Sequence, residues 1–114
     1  MSKNPAEHDD IEAPRRYVLE ERIKFIAAES DRVTISNHAE DRMIERDITT
    51  NMMFRVLRGG TLEGDIKQGR KPGNWEAKMV HSIPGHREVG VVTAVLQSDR
   101  LVVITVEWED WRSR

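Results

Sequence analysis

Residues 35–48 read ISNHAEDRMIERDI, and the passage from an extended end into a helix within this stretch decides the fold. Val33-Thr34-Ile35-Ser36 is a short run dominated by β-branched residues and predicts a strand. Ser36 or Asn37 offers a side-chain oxygen to cap a helix running from His38 to about Asp47. In that helix Ala39 and Met43 form the apolar stripe. His38, Arg42 and Arg46 recur at i, i+4 and i+8 and therefore stand one above another. At about 100° per residue this cationic row borders the apolar stripe instead of lying opposite it. After a turn at 47–49, a second helix starts at Thr49 or Thr50 and stops before Gly59-Gly60. Met52, Met53, Val56 and Leu57 give it helical spacing, so the pair reads as a helical hairpin.

On the N-terminal side, residues 1–13 are polar and carry Glu7, Asp9, Asp10 and Glu12 against one lysine, the composition of a disordered acidic tail. Residues 14–32 hold an amphipathic helix opened by Pro14. Its stripe is Leu19, Ile23, Ile26 and Ala27. On the C-terminal side the period shortens to that of strands. Residues 61–66, 75–83, 88–96 and 101–107 read as four antiparallel strands, the last two nearly continuous in apolar residues. The loop over 68–74 is rich in breakers and in positive charge. The expected architecture is thus α+β: a helical hairpin packed on a four-stranded antiparallel sheet over residues 33–114, with an extra helix ahead of it.

Composition narrows the function classes. A chain of 114 residues makes one domain. No run of apolar residues is long enough to cross a membrane as a helix. The absence of cysteine excludes disulfides, thiolate metal sites and a cysteine nucleophile. Four histidines occur without His-x-His or His-Glu-x-x-His spacing, so neither a metal nor another cofactor is expected. The N-terminus lacks an apolar leader core, which points to the cytoplasm. The net charge is -2, yet removing residues 1–13 leaves +1, and 13 of the 18 basic residues are Arg. Arginine is the side chain suited to bidentate phosphate contacts, although it also serves as ordinary surface.

The 35–48 segment also resembles the signature of domain-of-unknown-function family 4258, a strand followed by a helix reading His-Ala-x-x-Arg-Met-x-x-Arg-x-Ile. The likeness extends over about residues 33–107. That family is similar to the RelE/ParE toxin superfamily of bacteria, which includes messenger-RNA-cleaving toxins and gyrase inhibitors. The resemblance implies a RelE-like fold, a toxin–antitoxin setting, an antitoxin-like protein partner, and RNA or the ribosome as target. The motif positions that carry over are His38, Arg42 and Arg46.

Two readings follow. In the first, the domain is a metal-independent ribonuclease or translation inhibitor. Phosphodiester transfer needs a proton acceptor, a proton donor and cations for the phosphorane. His38, Arg42, Arg46 and Lys78 are the candidate catalytic group, with Arg70, Lys71 and Arg87 as nucleic-acid contacts. His81 and His86 are further side chains of the type that titrates near neutral pH. The second reading is a non-catalytic protein- or nucleic-acid-binding module of the same fold. Its motives are a near-neutral pI of about 6.1, poorly matched to a phosphate-rich target, and the extra helix. The stripe of that helix (Leu19, Ile23) would meet a partner, or a second copy in a homodimer through residues 14–30.

Overall fold

The computed structural model describes residues 12–85 and 87–109. Most of the expected acidic tail (1–11), His86 and the last part of the expected domain (110–114) lie outside the described residues. The elements in chain order are α1 (Arg16–Ala27), a 3-10 turn (Ser30–Arg32), β1 (Val33–Ile35), α2 (Asn37–Arg46), α3 (Thr50–Gly59), β2 (Thr61–Gln68), β3 (Trp75–Ser82), β4 (Glu88–Val95) and β5 (Leu101–Trp108).

The two consecutive helices α2 and α3 form for the reasons their sequence states, although each packs on the sheet rather than on the other as a hairpin. Ser36 caps α2, its Oγ accepting from the Ala39 N–H at 3.1 Å. Asp47 ends the helix in the left-handed region, with φ 57°. Thr49 caps α3, its Oγ1 accepting from the Met52 N–H at 3.1 Å while its own N–H donates to Met52 Sδ at 3.4 Å. These contacts satisfy backbone donors that a helix start otherwise leaves open.

The expected sheet is corrected. The sheet has five strands and is mixed, in the order β1-β5-β4-β3-β2, not four strands all antiparallel. β2, β3, β4 and β5 form the expected meander, and β1 adds to its far edge parallel to β5, with Val33, Thr34 and Ile35 opposite Leu101, Val102 and Val103. A three-residue strand carries too little pattern to reveal its neighbour. The pairing is fixed instead by tertiary contact: the Ser36 N–H continues the ladder onto the Val103 carbonyl at 3.1 Å. That bond sets the first turn of α2 directly over β5.

Every helix contributes to a core on one face of the sheet. Leu62, Ala77, Met79, Val91, Val95, Leu101, Val103 and Val106 are buried there against Ala39 and Met43 of α2, Met53, Val56 and Leu57 of α3, and the α1 stripe. α1 runs from Arg16 to Ala27, shorter than the expected 14–30, because Arg15 is still extended (ψ 147°) and Glu29 is extended again. Leu19, Ile23, Ile26 and Ala27 are all fully buried. The stripe that could have met a partner is therefore internal. The outward side of α1 carries Tyr17 and Phe25, 65% and 72% exposed. α1 also covers the free edge of β2, with Glu20 Oε1 accepting from the Leu62 N–H at 2.9 Å and Arg16 Nη1 donating to the Gly64 carbonyl at 2.8 Å. An unpaired edge is a template for association, and these two side chains block it.

The α3–β2 junction is the tightest backbone approach. A Cβ on Gly60 would meet the Val56 and Val80 carbonyl oxygens, each at 2.6 Å, while one on Gly59 would find His81 Nε2 at an ordinary 3.4 Å. Gly60 has φ -85°, so the constraint is space and not conformation. Gly60→Ala should cost about 3 kcal/mol in urea unfolding, as overpacking against rigid backbone does. Gly59→Ala should leave the midpoint unchanged or raise it, since alanine is the better helix former. Equal effects at the two positions would show that the approach is not as close as described.

Candidate functional site

The cationic row of α2 is placed as the periodicity requires, but its members have separate occupations. His38 is exposed in the first turn, with no hydrogen bond among the described residues. Arg42 pairs with Glu45 one turn further along the same helix. Arg46 reaches the sheet: its Nη1 donates to the Val106 carbonyl at 2.8 Å, and its own carbonyl accepts from Trp108 Nε1 at 2.8 Å. The two bonds clamp the C-terminal turn of α2 onto the end of β5. A half-buried guanidinium on a main-chain carbonyl is a charged hydrogen bond whose removal leaves that carbonyl short of a partner.

Lys78 stands elsewhere. Ala77 and Met79 point into the core, so Lys78 between them points to the sheet face that no described helix covers. Its Nζ lies 2.8 Å from Glu109 Oε1 and 3.6 Å from Glu107 Oε2. α2 packs on the opposite face, so Lys78 and the His38/Arg42/Arg46 row are not brought together. Arg70 and Lys71 are exposed on the β2–β3 loop, next to Trp75, at the other end of β3 from His81. Arg87 is exposed beside β4, with its guanidinium stacked 4.6 Å from the centre of the Trp108 ring. That contact draws Arg87 towards the Arg46 clamp through a shared tryptophan.

A different group of cations does come together. A groove of about 680 Å³ runs along the outer side of α3, and Arg55, Arg58 and His81 line it. Ser30, Thr50 and Asn51 supply its neutral polar groups, and Phe54 its apolar wall. Arg58 is held in place by three contacts: Nε donates to the Ala27 carbonyl at 2.7 Å, Nη2 to Ser30 Oγ at 3.0 Å, and its guanidinium stacks 4.4 Å from the Phe54 ring centre. Arg55 is exposed and makes no hydrogen bond or ion pair among the described residues. His81 sits on the covered side of the sheet, opposite Val89, against the backbone of Gly59.

The lining of this groove contains no carboxylate, which sets it apart from the other two concave surfaces described. One, beside α2, has Ile35, Met43, Ile44 and Ile48 with Glu40 and Asp47. The other, on the open sheet face, gathers Glu63, Asp65, Glu76 and Glu107 around Lys67 and Lys78. Sequence reading weighed His81 and passed over Arg55 and Arg58. The signal was faint: Arg55 and Arg58 are i, i+3 on the polar side of α3, where charge is ordinary, and nothing in the pattern joins them to residue 81.

The family described as Domain of unknown function (DUF4258) matches residues 35–108, from the last residue of β1 to the last of β5. This chain belongs to that family. No curated protein and no solved structure matches it. The DUF4258 match begins beyond α1 and the 3-10 turn, yet both are built into the domain: α1 fills the core, and Ala27 and Ser30 position Arg58. Among the described residues no helix is long and apolar enough to cross a membrane.

The DUF4258 arginines are separable by stability. Arg46→Ala should cost about 2 kcal/mol in chemical denaturation because the Val106 carbonyl loses its donor. Arg42→Ala should stay within about 0.5 kcal/mol of wild type, as expected for an exposed ion pair. A silent Arg46→Ala would show that the clamp does not hold α2 to the sheet.

Proposed function

We propose that this protein is a non-catalytic binding module on a toxin-like scaffold, acting in the cytoplasm on a macromolecular partner without cleaving RNA. The observation that carries the reading is the internal commitment of the motif cations. Metal-independent cleavage of a phosphodiester needs base, acid and cations around one phosphate. Arg42 is paired with Glu45, Arg46 holds a main-chain carbonyl, and Lys78 lies between two carboxylates on the other side of the sheet. Kinship with the RelE/ParE superfamily belongs to the same proposal, supported by two consecutive short helices that feed an antiparallel meander. An antitoxin-like partner or a second copy engaging residues 14–30 would meet the outward side of α1, where Tyr17 and Phe25 are exposed, because Leu19 and Ile23 are internal.

Two measurements test it together. Purified protein incubated with a mixed-sequence RNA should leave the RNA full-length on a denaturing gel, and induced expression in bacteria should leave growth normal. RNA fragments, or a growth arrest relieved by Arg42→Ala, would instead establish the ribonuclease or translation-inhibitor reading with His38, Arg42, Arg46 and Lys78 at its centre.

A further inference from the structure

We infer that the groove between α3 and β3 is a binding site for the phosphodiester backbone of single-stranded RNA, with Arg55 and His81 as its direct contacts and Arg58 as the residue that shapes it. The inference rests on the binding-module reading and names the partner class.

Charge is the first argument. The whole chain carries -2, and carboxylates line the other two concave surfaces. A surface on which two guanidiniums and an imidazole meet no acid is the one place among these three where an anion gains without repulsion. Pre-organisation is the second. Arg58 is fixed by Ala27, Ser30 and Phe54 before any ligand arrives, which lowers the entropy lost on binding. Arg55, one turn away, makes no bond among the described residues and keeps its donors for a ligand. A guanidinium offers a planar fork suited to phosphate oxygens.

Shape is the third. The groove follows α3 from Thr50 to Gly59, about 14 Å at 1.5 Å per residue. It is open, and suits a chain of successive phosphates better than a single small ion. The Thr50 hydroxyl, the Asn51 amide and the Ser30 hydroxyl are groups that contact sugars and phosphates in a register-setting way. The His81 ring in the same wall suits an unstacked base, which only a single strand presents. Ser30 and Ala27 precede the DUF4258 match, so the anchoring of Arg58 draws on residues outside the matched segment.

The test is fluorescence anisotropy of the full chain with a labelled single-stranded RNA of about ten nucleotides, in a series of salt concentrations, with a parallel denaturing gel. Arg55→Glu should weaken binding about tenfold or more, and Arg55→Gln should lower the slope of log affinity against log salt by about 0.7, one phosphate contact on a single strand. His81→Gln should weaken binding severalfold, while Arg42→Gln should leave it unchanged. Arg55 is exposed and bonds to nothing in the described fold, so its variants keep the wild-type circular dichroism and unfolding midpoint. Absence of RNA binding by the wild type, or binding that survives Arg55→Glu, overturns the groove. Fragments on the gel whose formation Arg55→Glu abolishes would support the groove and overturn the non-catalytic reading, so the two can fail separately.

Discussion

Three residues of parallel pairing hold the architecture together. Val33–Ile35 lie along Leu101–Val103, and the Ser36 N–H extends that ladder by one more bond. Because Ser36 is also the N-cap of α2, the same residue ends a strand and starts a helix, leaving α2 little choice but to run over β5. At its other end, Arg46 and Trp108 exchange hydrogen bonds with each other's strand and helix. A ten-residue helix with two buried apolar side chains could not be stable alone. Pinned at both ends, it becomes a wall of the core.

This constraint recasts the motif over residues 38–46. His-Ala-x-x-Arg-Met-x-x-Arg can be read as a row of cations offered to a phosphate. In this chain Ala39 and Met43 fill the core, Arg46 closes the helix onto the sheet, and Arg42 pairs within its own helix. The groove proposed to bind lies one helix away. There, Arg58 is anchored by a carbonyl and a hydroxyl that lie before the matched span, and Arg55 and His81 line the same groove.

Most of the fold was legible. The cap at Ser36 or Asn37, the turn at 47–49, the helix start at Thr49 or Thr50 and the stripes of all three helices are local signals, because each depends on neighbours within about four residues. The four meander strands were legible from β-branched runs between turn residues. What escaped was non-local. The partner of β1 is some 68 residues away, as is the Ser36 contact to the Ile104 carbonyl, and a three-residue strand has no pattern to advertise either. The site was less legible still. Periodicity placed His38, Arg42 and Arg46 on one face, but could not say that Val106 would claim Arg46, or that Lys78 would face Glu109 across the sheet. Arg58 and His81 are 23 residues apart and line one groove because β3 passes close to the end of α3 at Gly60.

The most direct test of the account is a backbone amide NMR titration of the full chain with the single-stranded RNA. Shift changes should concentrate at Asn51, Arg55, Arg58 and His81, with the amides of His38–Arg46 unmoved. Changes centred on His38 and Arg42, with the α3 groove silent, would contradict it.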